Sequence, residues 1–275
     1  MNRVIWIAGM PRSGTNWIGQ IFASNPDVRF KLCPLFSYDF KNALDERSDA
    51  DAWHRLLEAT YSTHSDYLDQ EYLRKEALVP NFAQRNPQPS TLTIKSTRFH
   101  HLLPRLLELV PTANVVGIVR DPRAAIHSWL TNPLEFPSGA DPRTEWKSGH
   151  CRKTAPGEYW GFDDWRSVAN LFLDLQSTYA DRFHLLEYER CVEDPTACIK
   201  GLFPALGLDV HAQTEAFLVQ SRTEHKDHPR AVFKHPGVST RWKSELDPDI
   251  SAEIVGALRG TRLASFLSDE HAHDR

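Results

Sequence analysis

One short stretch, Gly9-Met10-Pro11-Arg12-Ser13-Gly14-Thr15, constrains the folding of this chain more than any other. It follows Val4-Ile5-Trp6-Ile7-Ala8, a run apolar at every position, as expected of a parallel strand covered on both faces. It precedes Trp17, Ile18, Ile21 and Phe22, whose spacing is helical, and Ser24-Asn25-Pro26 stops that pattern. A strand, a glycine loop and a helix in this order bring successive backbone N–H groups and the positive end of a helix dipole to one concave spot. The spot suits an anion, with Gly14 allowing close backbone approach and Ser13 and Thr15 supplying hydroxyl donors.

The remaining apolar runs extend the scheme. Residues 28–32, 91–95, 115–119 and 183–186 each read as a short buried strand. Leu102, Leu103, Leu106, Leu107 and Val110 mark one helix between them. Ala124, Ala125, Ile126, Trp129 and Leu130 mark another, opened by Asp121-Pro122 as N-cap and first helical residue. Strands alternating with helices predict an α/β fold, an open parallel sheet wound on both faces. No repeat and no Gly/Ser linker divides the chain, so residues 1–268 read as a single domain and 269–275 as a flexible tail. Two segments depart from the pattern. Residues 34–88 are polar and in places acidic, and residues 131–165 are rich in Pro, Gly and Trp. Insertions of this length shape pockets or lids, or pack as loops on their own aromatics. Trp146, Tyr159, Trp160 and Trp165 are therefore candidates for pocket walls or for core.

Charge and cysteine usage narrow the partners. With 32 Lys+Arg against 36 Asp+Glu, the formal charge of −4 provides no overall basic field for nucleic acid, so an anion site must be local. Cys33, Cys151, Cys191 and Cys198 fall in neither zinc-type nor disulfide-framework spacing, which predicts a reducing compartment. The histidine pairs His225/His228 and His271/His273 have no further ligand at metal spacing, and no metal is expected. No run approaches the ~20 apolar residues of a bilayer span, and a cytoplasmic location is expected.

The glycine spacing of the first loop matches that of nucleoside-triphosphatase loops, but the residues after the second glycine do not. Those loops continue with Lys and then Ser/Thr, for the terminal phosphates and Mg²⁺. Here Thr15 and Asn16 stand in those places, and the positive charge sits inside the loop at Arg12. A forked guanidinium there can grip a set of anionic oxygens.

Pro11-Arg12-Ser13-Gly14-Thr15-Asn16-Trp17 resembles the 5′-phosphosulfate loop of sulfotransferases that use 3′-phosphoadenosine 5′-phosphosulfate (PAPS). Val116-Gly117-Ile118-Val119-Arg120-Asp121-Pro122-Arg123-Ala124-Ala125-Ile126-His127-Ser128 is similar to the same family's 3′-phosphate motif, in the expected order. Arg120 closes a strand and Ser128 lies on the order of 10 Å along the next helix, so both could face one phosphate across the corner. A third patch, residues 233–243, resembles the loop that covers the nucleotide. It matches only at Gly237, at Trp242-Lys243 and in basic character, offering Lys234, Arg241 and Lys243 as ligands or as a solvated basic loop. Leu186-Glu187-Tyr188-Glu189 and Asp194-Pro195 also resemble family elements, read here as structural. The resemblance spans residues 4–246 and leaves the two insertions unaccounted for.

The resemblance implies a nucleotide-kinase-like sulfotransferase fold. It implies transfer of a sulfuryl group from PAPS, without metal, to a hydroxyl or amine of a small-molecule or glycan-like acceptor, releasing adenosine 3′,5′-bisphosphate (PAP). Arg12 and Lys95, the latter in Ile94-Lys95-Ser96-Thr97, are the implied cations around the reacting group. The proton acceptor is not where the family keeps it. Thr97 stands where one branch has histidine, and Cys33, before Pro34, where another often has glutamate. His100, His101 and Asp39 are the candidate bases, each with the alternative of a capping or surface role. Lys31 is within reach of the same region, and Cys33 reads as a small buried residue or an active thiol. The alternatives are a phosphotransferase of the nucleoside-kinase type, opposed by the missing loop lysine, and a nucleotide-binding module without chemistry. Nothing in the sequence speaks to oligomeric state.

Overall fold

A computed structural model of the chain describes residues 1–268. The expected tail, residues 269–275, lies outside the described residues, and His271 and His273 with it. Five strands form one parallel sheet: β1 (Arg3–Gly9), β2 (Val28–Leu32), β3 (Thr91–Ser96), β4 (Ala113–Val119) and β5 (Phe183–Glu187), in the order β2-β3-β1-β4-β5. All five coincide with the apolar runs, extended by one or two residues at some ends. Twelve α-helices accompany them among the described residues: α1 (Thr15–Ala23), α2 (Ala50–Ser62), α3 (Glu71–Lys75), α4 (Leu103–Leu109), α5 (Pro122–Leu130), α6 (Pro142–Ser148), α7 (Gly161–Thr178), α8 (Tyr188–Glu193), α9 (Pro195–Ala205), α10 (Ala212–Thr223), α11 (Trp242–Glu245) and α12 (Pro248–Leu258).

The near-continuous apolar strands follow from burial on both sides. Along β1, Val4, Trp6 and Ala8 enter one core with α2, α4, α5, α7 and α12, whereas Ile5 and Ile7 enter the other with α1, α9 and α10. Neither isoleucine has solvent exposure, so truncation of either to Ala costs about 2–5 kcal/mol. The 34–88 segment is not irregular throughout. It carries α2, capped by the Asp49 side chain accepting from the Ala52 N–H at 2.8 Å, and α3. The 131–165 segment carries α6 and leads into α7, with Trp146 and Trp165 in the core. Among the described residues no helix is long and apolar enough to cross a membrane.

The sheet register sets the site. Ala8 lies beside Ser96 on one neighbour and Gly117 on the other, so the carboxyl ends of β1, β3 and β4 open along one edge. Ligands of open α/β sheets bind outside these ends, where the strand order reverses about the first strand. Residues 10–14, Lys95 and Arg120 come from those three ends.

Candidate active site

The first loop has the shape its sequence demands. Gly14 has φ of 80°, and a Cβ there would lie 2.0 Å from Cε2 of Tyr188, so glycine is required by both backbone and packing. Arg12 is also left-handed, with φ of 68°, a strained state for a branched-out side chain and characteristic of functional loops. No side chain caps α1, leaving its first N–H groups facing the loop. Ser13 is 1% exposed and its Oγ has no partner among the described residues. N–H groups gathered at a helix N-terminus are suited to an anion.

The second motif folds against the first. Arg120 is 8% exposed; it donates to the Arg12 carbonyl at 2.8 Å and to the Ser239 carbonyl at 3.4 Å, and stands 4.9 Å above the Tyr188 ring. Arg12 Nε donates to Ser128 Oγ at 3.1 Å. The corner is held from behind. Asp121 caps α5 by accepting from the Arg123 N–H, pairs with the Arg123 guanidinium at 2.7 Å, and accepts from the Ser268 N–H and hydroxyl. Trp165 Nε1 donates to the Arg120 carbonyl at 3.0 Å.

One cavity of about 460 Å³ is lined by Arg12, Gly14, Thr15, Asn16, Trp17, Arg120 and Ser128, and also by Lys234 and Arg241. The two motifs therefore share a single space. Its walls include Trp17 and Tyr188, in edge contact at 6.2 Å, and Trp17 Nε1 donates to Ser221 Oγ at 2.9 Å. Lys234 lends its Nζ to the Lys226 carbonyl at 2.8 Å, and Arg241 pairs with Glu245 at 2.8 Å. Glu245 also meets His127 Nε2 at 3.1 Å, bridging α11 to α5. Lys243 does not line the cavity; its Nζ stands 5.7 Å from the Trp242 ring centroid.

A smaller pocket of about 150 Å³ adjoins it, sharing Arg12, Thr15 and Asn16 with the large cavity, and adding Lys95, Thr97, Arg98, Glu135, Arg152, Tyr159 and Trp160. Lys95 is 7% exposed and donates to Asn16 Oδ1 at 2.7 Å. Burial pushes its ammonium down to about 8, against the pull of Cys33 and Glu135 and with a smaller push from Arg12. Arg12 reaches the same pocket and pairs with Glu135 at 3.5 Å; burial pulls its pKa down, with Glu135 opposing.

The expected bases distribute unevenly. His101 lines neither cavity, but its Nδ1 lies 3.1 Å from the hydroxyl of Tyr159, which does line the small pocket. His100 is wholly buried between Tyr159 and Phe172, and burial holds its pKa down to about 3, so it is a neutral core ring. Asp39 is exposed and lines neither cavity. These two expectations fail on placement: His100 turns into the core, and Asp39 follows the turn at 34–36 out to solvent. Cys33 is buried with Sγ 3.2 Å from Ser96 Oγ, and burial raises its thiol, which makes it a packing residue. Lys31 is buried in an ion pair with Asp69 at 2.7 Å.

Sequence reading missed four participants. Tyr188 and Glu189 belong to the Leu-Glu-Tyr-Glu run read as structural, yet Tyr188 packs the loop and Glu189 stands 3.8 Å from Arg120. Burial raises the Glu189 carboxyl to about 7, with Arg120 acting in the opposite direction. Glu135 and Arg152 lie in the unassigned insertion, and only their neighbourhood to Trp129 and Trp160 in the chain hinted at them.

Comparison with known proteins identifies the fold and the family. No curated protein matches the sequence. Among solved structures, a mouse sulfotransferase complexed with PAP superposes with a TM-score of 0.60 at 16% identity, covering 100% of this chain and 90% of that one. The sulfotransferase domain of a Synechococcus olefin synthase gives 0.52 at 19% identity, covering 100% and 96%. Retinol dehydratase in complex with retinol and PAP gives 0.54 at 16%, covering 94% and 82%. The sequence profile of the sulfotransferase family matches residues 5–212, and the chain belongs to that family.

Proposed function

We propose that the chain moves a sulfuryl group from PAPS to a hydroxyl or amine of a small-molecule or glycan-like acceptor and releases PAP. The observation that carries the reading is that the lysine-free loop and the Arg120–Ser128 corner line one cavity, while Lys95 faces the pocket beside it. The 5′ end of the nucleotide would lie on the α1 N-terminus, Ser13 and Arg12, and the 3′-phosphate on Arg120 and Ser128. Trp17 and Tyr188 give the purine flat apolar walls, with Lys234 and Arg241 on the covering loop.

Arg12 lines both cavities, and Lys95 lines the smaller one, with its ammonium on Asn16, which the two share. These cations would neutralise charge gathering on the leaving phosphate oxygen, as fixed donors do in phosphoryl transfer. The resemblance to PAP-bound sulfotransferases supports this reading. It is tested by calorimetric titration with PAP in the absence of metal. Saturable heat and a raised Tm are expected; no heat and no stabilisation at high ligand excess would overturn it.

A further inference from the structure

The small pocket holds four cations and one carboxylate, and their pairing is unequal. Arg12 pairs with Glu135, Lys95 with Asn16, and Arg98 with Glu158. Arg152 makes no ion pair and no side-chain hydrogen bond among the described residues. Its guanidinium stands 5.7 Å from the Trp160 ring, and its Nε is buried without a partner. On the same pocket, Glu135 Oε2 is buried and makes no hydrogen bond, its one charged partner among the described residues being the Arg12 guanidinium at 3.5 Å. Buried polar atoms are rarely left so, and here one is an acceptor and the other a donor.

Both turns that carry these side chains are tied down. The Asn132 carbonyl accepts from the N–H groups of Glu135 and Phe136 at 3.0 and 2.8 Å, and the Phe136 ring meets Trp129 at 5.3 Å, which fixes the turn that presents Glu135. Arg152 ends a short turn after Gly149, a turn tied down by the Cys151 N–H donating to Glu145 at 2.8 Å.

We infer that the pocket takes a hydroxy compound bearing an anionic group, its hydroxyl beside Glu135, which accepts the proton, and its anion on Arg152. The inference rests on the sulfuryl-transfer reading above. In the step, a bond forms between the acceptor oxygen and sulfur, and the bridging oxygen–sulfur bond of PAPS breaks. The electron pair leaves on the 5′-phosphate of PAP, and the acceptor's proton passes to the Glu135 carboxylate. Arg12, Lys95, Arg98 and Arg152 are the charged groups that share the pocket with Glu135. In this arrangement the phosphosulfate would draw Arg12 toward itself and leave Glu135 facing the acceptor hydroxyl.

The test measures PAP release from PAPS with matched acceptors: 4-hydroxyphenylacetate, 3-hydroxybutyrate and glucuronate, each against its primary amide, and glucose 6-sulfate against glucose. An anionic member is expected to exceed its neutral partner by about 10–100-fold in kcat/KM, and whichever of the carboxylate or sulfate arms responds identifies the anion. Arg152→Gln should erase that ratio through KM. Glu135→Gln should lower kcat by about 100-fold or more with KM for the acceptor little changed, and Glu135→Asp should restore part of it. Both variants should still bind PAP by calorimetry, which separates chemistry from misfolding. Equal rates for anionic and neutral partners, an unchanged kcat in Glu135→Gln, or PAP binding with no transfer to any member would overturn the assignment. Failure of the unsubstituted protein to bind PAP would instead overturn sulfuryl transfer itself.

Discussion

The two cavities are assembled in different ways. The large one starts from two compact motifs, residues 9–17 and 116–128, each a strand end running into a helix, and is completed by residues 221–242. The small one borrows Lys95 from a strand end and takes Glu135, Arg152, Tyr159 and Trp160 from a segment without regular pattern. Local backbone geometry fixes the first; long-range packing on Trp129 and Trp160 fixes the second. A strand–loop–helix cradle can therefore be read from a short stretch of chain, whereas a pocket built on an insertion depends on where that insertion folds back.

The largest effect should come from the junction. Lys95→Ala is expected to lower turnover by about 100–1,000-fold, the usual loss of one fixed donor to a developing charge, with PAP affinity changed by less than about threefold. Next, Arg120→Ala should weaken PAP binding by about 10–100-fold in calorimetry and leave turnover at saturating PAPS within about threefold. If both variants altered both quantities alike, the division between the cavities would be broken.

A pH profile sharpens the same division. Because burial brings the Lys95 pKa down to about 8, its cation is present below that pH and lost above it. With PAPS, kcat/KM should fall about tenfold per unit as pH rises past 8, and Lys95→Met should flatten that limb. Stability moves the other way. The unfolded chain holds this proton more tightly than the folded one, so unfolding free energy gains from this group as pH rises from about 8 to the ordinary lysine value. The smallest effect is expected of Asp39→Asn, within about twofold of the unsubstituted rate in a PAP-release assay, because the residue is exposed and lines neither cavity.

The sheet was legible because its central strand is covered on both faces and leaves an unbroken apolar run, Val4-Ile5-Trp6-Ile7-Ala8, and the edge strands β2 and β5, partly exposed, stay short and largely apolar. The cradle was legible because Gly14 and Arg12 sit in a stretch whose backbone can do little else. The role of Tyr188 was not, since its ring acts by filling the space that Gly14 leaves 174 residues earlier in the chain, and nothing local in Leu-Glu-Tyr-Glu announces that contact. His100 and His101 illustrate a second limit: adjacent in sequence, they part at a turn opened by the left-handed Phe99, one ring entering the core and the other reaching Tyr159. Periodicity cannot assign side chains across such a break.

The clasp behind Arg120 has a consequence for synthesis. Ser268 reaches Asp121 across 147 positions, and Ser239 reaches Arg120 across 119, so no contiguous half of the chain carries a finished nucleotide corner. A ribosome-bound product stopped after β5 would own both motifs and still lack the brace that squares them.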